Sequence, residues 1–267
     1  MNRLVIWIFW LFVIILLLYS LFFGSLLFMN PIKLGLRSQR LDNATIYTSN
    51  IYELNPIYQF VDEQMIAAEA MYQLSYKERV NIYVSTSTNE FRRWAPPWIG
   101  NGVGGVSLYI GNAIFINPEK IKEHKYVEEE FLKHELIHNL IRQNSAIGNN
   151  FVFDSQEWMS EGMAMYFGGP NYMNENEFRT QIRNKKLIYD EKTLKLFTSL
   201  EDDYKLRMTV YNYFITFLIR EYGNSSFLTY MKQYIEAPNN SKIIFYEVYN
   251  KPLKLIFDEF KKEYGAK

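Results

Sequence analysis

Chemistry in this 267-residue chain concentrates on its histidines, of which there are only three. Two of them fall in the segment His134-Glu135-Leu136-Ile137-His138. On a helix, residues i and i+4 share a face one turn apart, so two imidazole nitrogens at this spacing can bind a single zinc ion. Glu135 stands three residues before His138, close enough to that face to reach a water at the metal without ligating it. The helical stripe Val127, Phe131, His134, His138 and Ile141 turns both histidines inward. Two imidazoles in an apolar setting cost free energy unless something satisfies them.

The second feature is the run from Trp158 to Phe167, in which Glu161 is the only charged residue. A helix apolar nearly all round is a buried helix. An isolated carboxylate there is expensive unless it meets a cation or takes up a proton. Zinc supplies such a cation, and Gly162 lets the backbone approach a neighbouring helix closely. His134, His138 and Glu161 together leave a fourth position open for water, which is the catalytic rather than the structural pattern for zinc.

Positioning these groups requires a strong helix over Tyr126 to Arg142 and a second over Gln156 to Phe167, ended by Gly168-Gly169-Pro170. Upstream, Ala44 to Thr48 and Val80 to Thr86 read as strands. Val106 to Ile110 with Ala113 to Ile116 reads as a hairpin turning at Gly111-Asn112. Asn55 and Pro56 open a helix through Ala68. Downstream, helices are expected near Asn176 to Lys185, over Asp203 to Tyr222 closed by Gly223, and over Ser225 to Ile235 and Leu253 to Tyr264. Strands followed by packed helices imply an α+β domain with a small mixed sheet and a mostly helical C-terminal half.

Composition removes several classes. Lys and Arg number 29 against 29 Asp and Glu, so there is no basic field for nucleic acid. An apolar fraction of 48% excludes acidic disorder. With no cysteine, any zinc must be held by nitrogen and oxygen alone. Leu4 to Phe28 carries no charge over 25 positions, about 37 Å as a helix, against a hydrocarbon core of about 30 Å. That length predicts an uncleaved single-pass transmembrane anchor over 1–28, a juxtamembrane tether over 29–43 and one domain over 44–267, placed outside the cytoplasm. Of the remaining features, His124 reads as a solvated surface histidine. Glu128-Glu129-Glu130 reads as complementing the helix dipole. Asn101 to Gly105 reads as a flexible turn beside the cleft.

His134-Glu135-x-x-His138 followed by Glu161 in Trp-x-x-Glu-Gly-x-Ala-x-Tyr resembles the gluzincin metallopeptidases, most closely the peptidase-MA-like domains. The resemblance implies a zincin-like fold, one Zn2+ ion held by His134, His138 and Glu161, and Glu135 as general base and later proton donor in hydrolysis of a peptide or protein substrate. Family members commonly add an oxyanion-stabilising tyrosine or histidine, and Tyr211 is a candidate for it. The strand Ala113 to Ile116 is expected to offer a sheet edge to an extended peptide. The alternative is a catalytically inactive zincin-like domain that binds a protein or envelope partner.

Overall fold

The computed structural model describes residues 3–28, 35–96, 99–100, 102–108, 112–146, 157–170, 172–184, 187–190, 195–198 and 203–265. The sequence readings at Gln156, Lys185, Gly111 and most of the tether's first half lie outside these residues. The architecture is α+β, a small mixed sheet followed by packed helices, as the order of elements implies.

Strands β1 (Arg37–Arg40), β2 (Ala44–Thr48), β3 (Val80–Val84), β4 (Gly105–Ser107) and β5 (Ala113–Ile116) form one sheet in the order β1-β2-β3-β5-β4. The interior strands β2, β3 and β5 run parallel, and β1 and β4 close the two edges antiparallel. Parallel interior strands are covered on both faces and therefore read as near-continuous apolar runs. Ala113-Ile114-Phe115-Ile116 is buried at every position. On one face Ile46, Ile82 and Ile114 join Leu132 and Leu136 in a core. On the other, Tyr47, Tyr83 and Phe115 are paired across neighbouring strands and stack with ring centroids 4.9 and 5.0 Å apart.

Two details differ from the sequence reading. The expected edge, Ala113 to Ile116, is an interior strand, and the edge beyond it is β4. Both segments of the hairpin are apolar, and local sequence does not say which of them finds β3. The span read as a tether contains β1, which pairs with β2 from Arg37↔Thr48 to Arg40↔Thr45.

The helices are α1 (Arg3–Phe28), α2 (Val61–Tyr72), α3 (Thr88–Trp94), α4 (Pro118–Glu123), α5 (Glu128–Asn144), α6 (Glu157–Gly168), α7 (Glu175–Asn184), α8 (Tyr204–Tyr222), α9 (Asn224–Glu236), α10 (Ser241–Tyr249) and α11 (Leu253–Gly265). The helix expected from Asn55 begins as a 3-10 turn over Pro56–Phe60, with the Asn55 side chain accepting from Ile57 N at 3.1 Å. A two-stranded hairpin of β6 (Leu187–Asp190) and β7 (Lys195–Thr198) interrupts the helical half. The helical core is aromatic: Trp158, Phe214 and Phe257 are buried together, and Phe214 meets Trp158 edge-on with centroids 5.3 Å apart.

Helix α5 belongs to both cores. Leu132 and Leu136 pack into the sheet, while Ile137, Leu140 and Ile141 pack into the helical half. A helix buried on two sides has little freedom to rotate, and that fixes where its histidines point.

The N-terminal segment is one helix of 26 residues. Its described side chains run from Ile6 to Ser20 and leave Trp7, Phe9, Trp10, Phe12 and Leu18 more than half exposed. Among the described residues no helix is long and apolar enough to cross a membrane.

Candidate metal centre

His134 and His138 lie on α5 and Glu161 on α6, two helices packed against each other. Both histidines are buried, with His134 7% and His138 8% exposed. Their Nε2 atoms stand 3.0 Å apart. Glu161 completes a triangle, with Oε2 at 3.2 Å from His134 Nε2 and Oε1 at 3.3 Å from His138 Nε2. Ligands about 2.0 to 2.1 Å from a tetrahedral zinc lie about 3.3 Å from one another, so this donor set has the size and chemistry that such an ion needs. Three electron-rich groups at this separation repel unless a proton or a cation lies among them.

The electrostatics follow from burial and contact. Burial depresses the His134 imidazole, but the hydrogen bond and charge of Glu161 outweigh it, and its pKa sits above the ordinary value. Burial raises the Glu161 carboxyl; the charge of His138 and the hydrogen bonds of both histidines overcome that and hold it well below the carboxylate range. His134 Nδ1 is buried and has no partner among the described residues. Behind it, a Cβ placed on Gly169 would lie 3.1 Å from His134 Nδ1 and 2.8 Å from the Met165 backbone, so the Gly168-Gly169 turn is packed directly against the ring.

Both helices are anchored from outside the triangle. Glu128 in the first turn of α5 accepts hydrogen bonds from Asn55 Nδ2 at 3.1 Å and from the Tyr58 hydroxyl, and Glu129 pairs with Lys133 at 2.6 Å. The acidic run therefore fastens the helix as well as complementing its dipole. Val127, expected on the inward stripe, is 55% exposed; it precedes the helix as its N-cap with extended backbone, so helical periodicity does not extend to it. Gly162 behaves as anticipated: a Cβ there would sit 2.7 Å from Ile215 Cγ1 and 3.1 Å from the Tyr211 carbonyl, so α6 and α8 approach through this residue.

Tyr211 is held by Glu157 and does not line the cavity described below. It is 1% exposed, and its hydroxyl lies 3.3 Å from Glu157 Oε2, one turn before Glu161 on α6. Arg207 Nη2 reaches the same carboxylate at 3.4 Å. These residues brace α6.

A cavity of about 640 Å³ opens beside the centre and includes His134 and Glu135 in its wall. Gly104, Gly105, Phe131, Tyr126, Tyr172 and Tyr204 also line it. His124, read from sequence as a solvated histidine, stands in this wall as well, its ring 5.9 Å from that of Tyr126. Tyr172 and Tyr204 meet edge-on with centroids 5.8 Å apart. Burial raises the pKa of Tyr204, and the neighbouring Tyr172 and Glu161 add to the shift, so its hydroxyl keeps its proton. Sequence reasoning missed both tyrosines: in a chain with 21 of them, nothing local marks these two.

No family model and no curated protein matches this sequence.

Proposed function

We propose that the protein is a zinc-dependent metallopeptidase of gluzincin type, a member of the peptidase-MA-like group by its motif. The observation that carries this reading is the triangle of His134, His138 and Glu161 donor atoms at 3.0 to 3.3 Å, with Glu135 in the wall of an adjoining cavity. Bound to this donor set, a zinc ion would supply Lewis acidity toward a carbonyl oxygen and lower the pKa of water.

The chain's own groups divide the remaining work. Glu135 accepts the proton of the attacking water as the new C–O bond forms, then delivers it to the amine nitrogen as the C–N bond breaks. Tyr204, in the same wall and hydrogen-bonded to Tyr172, is the donor assigned to charge developing on the carbonyl oxygen, exchanging that bond for the oxyanion. The edge strand β4 offers backbone hydrogen bonds to an extended peptide. The aromatic wall suits a large apolar side chain next to the cleaved bond. Helix α1 is read as the single-pass anchor that holds the domain at a membrane, on its outer side, because its described apolar side chains from Trp7 to Leu18 are mostly exposed.

The test is hydrolysis of a peptide library by the full chain in detergent. Cleavage that stops with a zinc chelator, returns with zinc and is lost in Glu135→Gln is expected. Cleavage indifferent to all three would sink the reading.

A further inference from the structure

The sheet edge beside Glu135 carries an attachment that neither the donor set nor the cavity requires. Alternation along the β4–β5 ladder fixes which backbone groups face away from β5. Asn117 N donates to Gly104 O at 2.8 Å and Leu108 N to Ala113 O at 3.0 Å. Gly104, Val106 and Leu108 therefore bond to β5, and Gly105 and Ser107 turn their N–H and C=O groups away from it. Gly105 lines the cavity, where its groups are those an added peptide strand would use, while Ser107 is buried, 3% exposed.

The Ser107 carbonyl is already engaged: it accepts a hydrogen bond from Arg142 Nη1. Arg142 is on α5, one turn beyond His138 and two beyond Glu135, so all three share a helix face. Gly105 meets the same helix two turns earlier, where a Cβ would lie 3.0 Å from Glu135 Cγ and 3.2 Å from its Oε1. The three-residue edge strand is thus tied to the ligand helix at two successive residues that face away from β5, by close contact at one and by a charged donor at the other. Burial pushes the Arg142 guanidinium down to about 10, with Glu135 and Glu161 pulling it up, so it stays charged at neutral pH.

We propose that Arg142 is a positioning residue that holds the Ser107 carbonyl and thereby orders the β4 edge beside Glu135 for binding of a substrate main chain. This rests on the peptidase reading. A charge-assisted hydrogen bond is about twice as strong as a neutral one, and lysine cannot reproduce the planar fork of arginine. Removing the guanidinium leaves β4 held by its ladder to β5 and by the contact at Gly105.

The test uses the full chain in detergent micelles, with Arg142→Met and Arg142→Lys. Four quantities are read: zinc per chain, hydrogen exchange of the amides of residues 105–108, binding of a fluorescein-labelled octapeptide with a central Phe–Leu bond, and its cleavage. For Arg142→Met, zinc is retained, the edge amides exchange about tenfold faster, and KM rises about tenfold with kcat within about twofold, the scale of one hydrogen bond from a charged donor. Arg142→Lys falls between, and carries the same exchange test if the methionine variant does not fold. Unchanged exchange at 105–108, loss of zinc, or a fall in kcat at constant KM would overturn the proposal. If the native chain cleaves nothing, the peptidase reading fails by itself; the octapeptide's anisotropy then decides on Arg142, about tenfold weaker binding supporting it and equal binding overturning it.

Discussion

His134 Nε2 and Glu161 Oε2, on different helices, stand 3.2 Å apart at the meeting point of α5 and α6. A buried imidazole and carboxylate could form an ordinary ion pair. The second imidazole, 3.0 Å from the first, turns the pair into a donor set with more lone pairs than protons to share at neutral pH. Removing one donor should therefore remove the metal. Glu161→Ala and His138→Ala are each expected to lower zinc affinity by at least about a hundredfold, the upper end of what even an outer-shell change costs. Zinc per chain after dialysis against a chelating buffer measures this, with native protein keeping one equivalent. Ligand binding stabilises the folded state by mass action, so native protein should lose melting temperature on chelation and Glu161→Ala should not.

Glu135 makes a different prediction because it shares the cavity wall without belonging to the triangle. Glu135→Gln keeps shape and volume but cannot accept a proton. Turnover is expected to fall by about two to four orders of magnitude, the range for a positioned acid–base group, with zinc content unchanged. Parallel measurement of kcat and bound zinc separates this role from ligation: equal loss of both would make Glu135 a ligand.

What was legible in the sequence is what helical periodicity can carry. His134, Glu135 and His138 lie within five residues on one helix, so their relation needs no tertiary information. Glu161 was legible because a lone carboxylate in a run as apolar as Trp158 to Phe167 demands a partner. Gly162 was legible as a close approach, though not what approaches it, the Tyr211 to Ile215 turn of α8. The order of β4 and β5 was not legible, because both are short and it depends on which of them pairs with β3. Tyr211 is the candidate along α8, yet the tyrosine that reaches the cavity, Tyr204, lies two turns earlier at the helix start. Residues seven apart share a face, and only depth along the axis distinguishes them.

Gly162 gives a stability prediction independent of any activity. Valine there would push branched methyl groups into Ile215 and the Tyr211 carbonyl, already 2.7 and 3.1 Å from the position of a Cβ. Overpacking of this kind costs about 1 to 3 kcal/mol. The helix-propensity gain over glycine, well under 1 kcal/mol for a β-branched residue, does not offset it. Chemical denaturation of Gly162→Val should show this loss, and zinc affinity should fall with it because Glu161 is the preceding residue. A variant as stable as native protein would show that α6 and α8 can separate without cost.

Two of the tyrosines of α8 provide the sharpest contrast, since Tyr204 and Tyr211 both lose only a hydroxyl on substitution by phenylalanine. Tyr211 donates toward Glu157 at 3.3 Å in a buried setting. Tyr211→Phe should therefore cost about 1 kcal/mol of stability, the net worth of one hydrogen bond, and leave kcat/KM unchanged. Tyr204 lines the cavity with His134 and Glu135, and in the proposed reaction its hydroxyl, which hydrogen-bonds Tyr172, turns to the developing oxyanion. Tyr204→Phe should lower kcat by about 100-fold to 1000-fold, as loss of an oxyanion donor does elsewhere, with stability and zinc content unchanged. Thermal unfolding and peptide hydrolysis of the two variants side by side check both halves. If Tyr211→Phe lost turnover and Tyr204→Phe did not, the oxyanion donor would belong where the resemblance first placed it, and α8 would have to rotate in the working enzyme to bring it there.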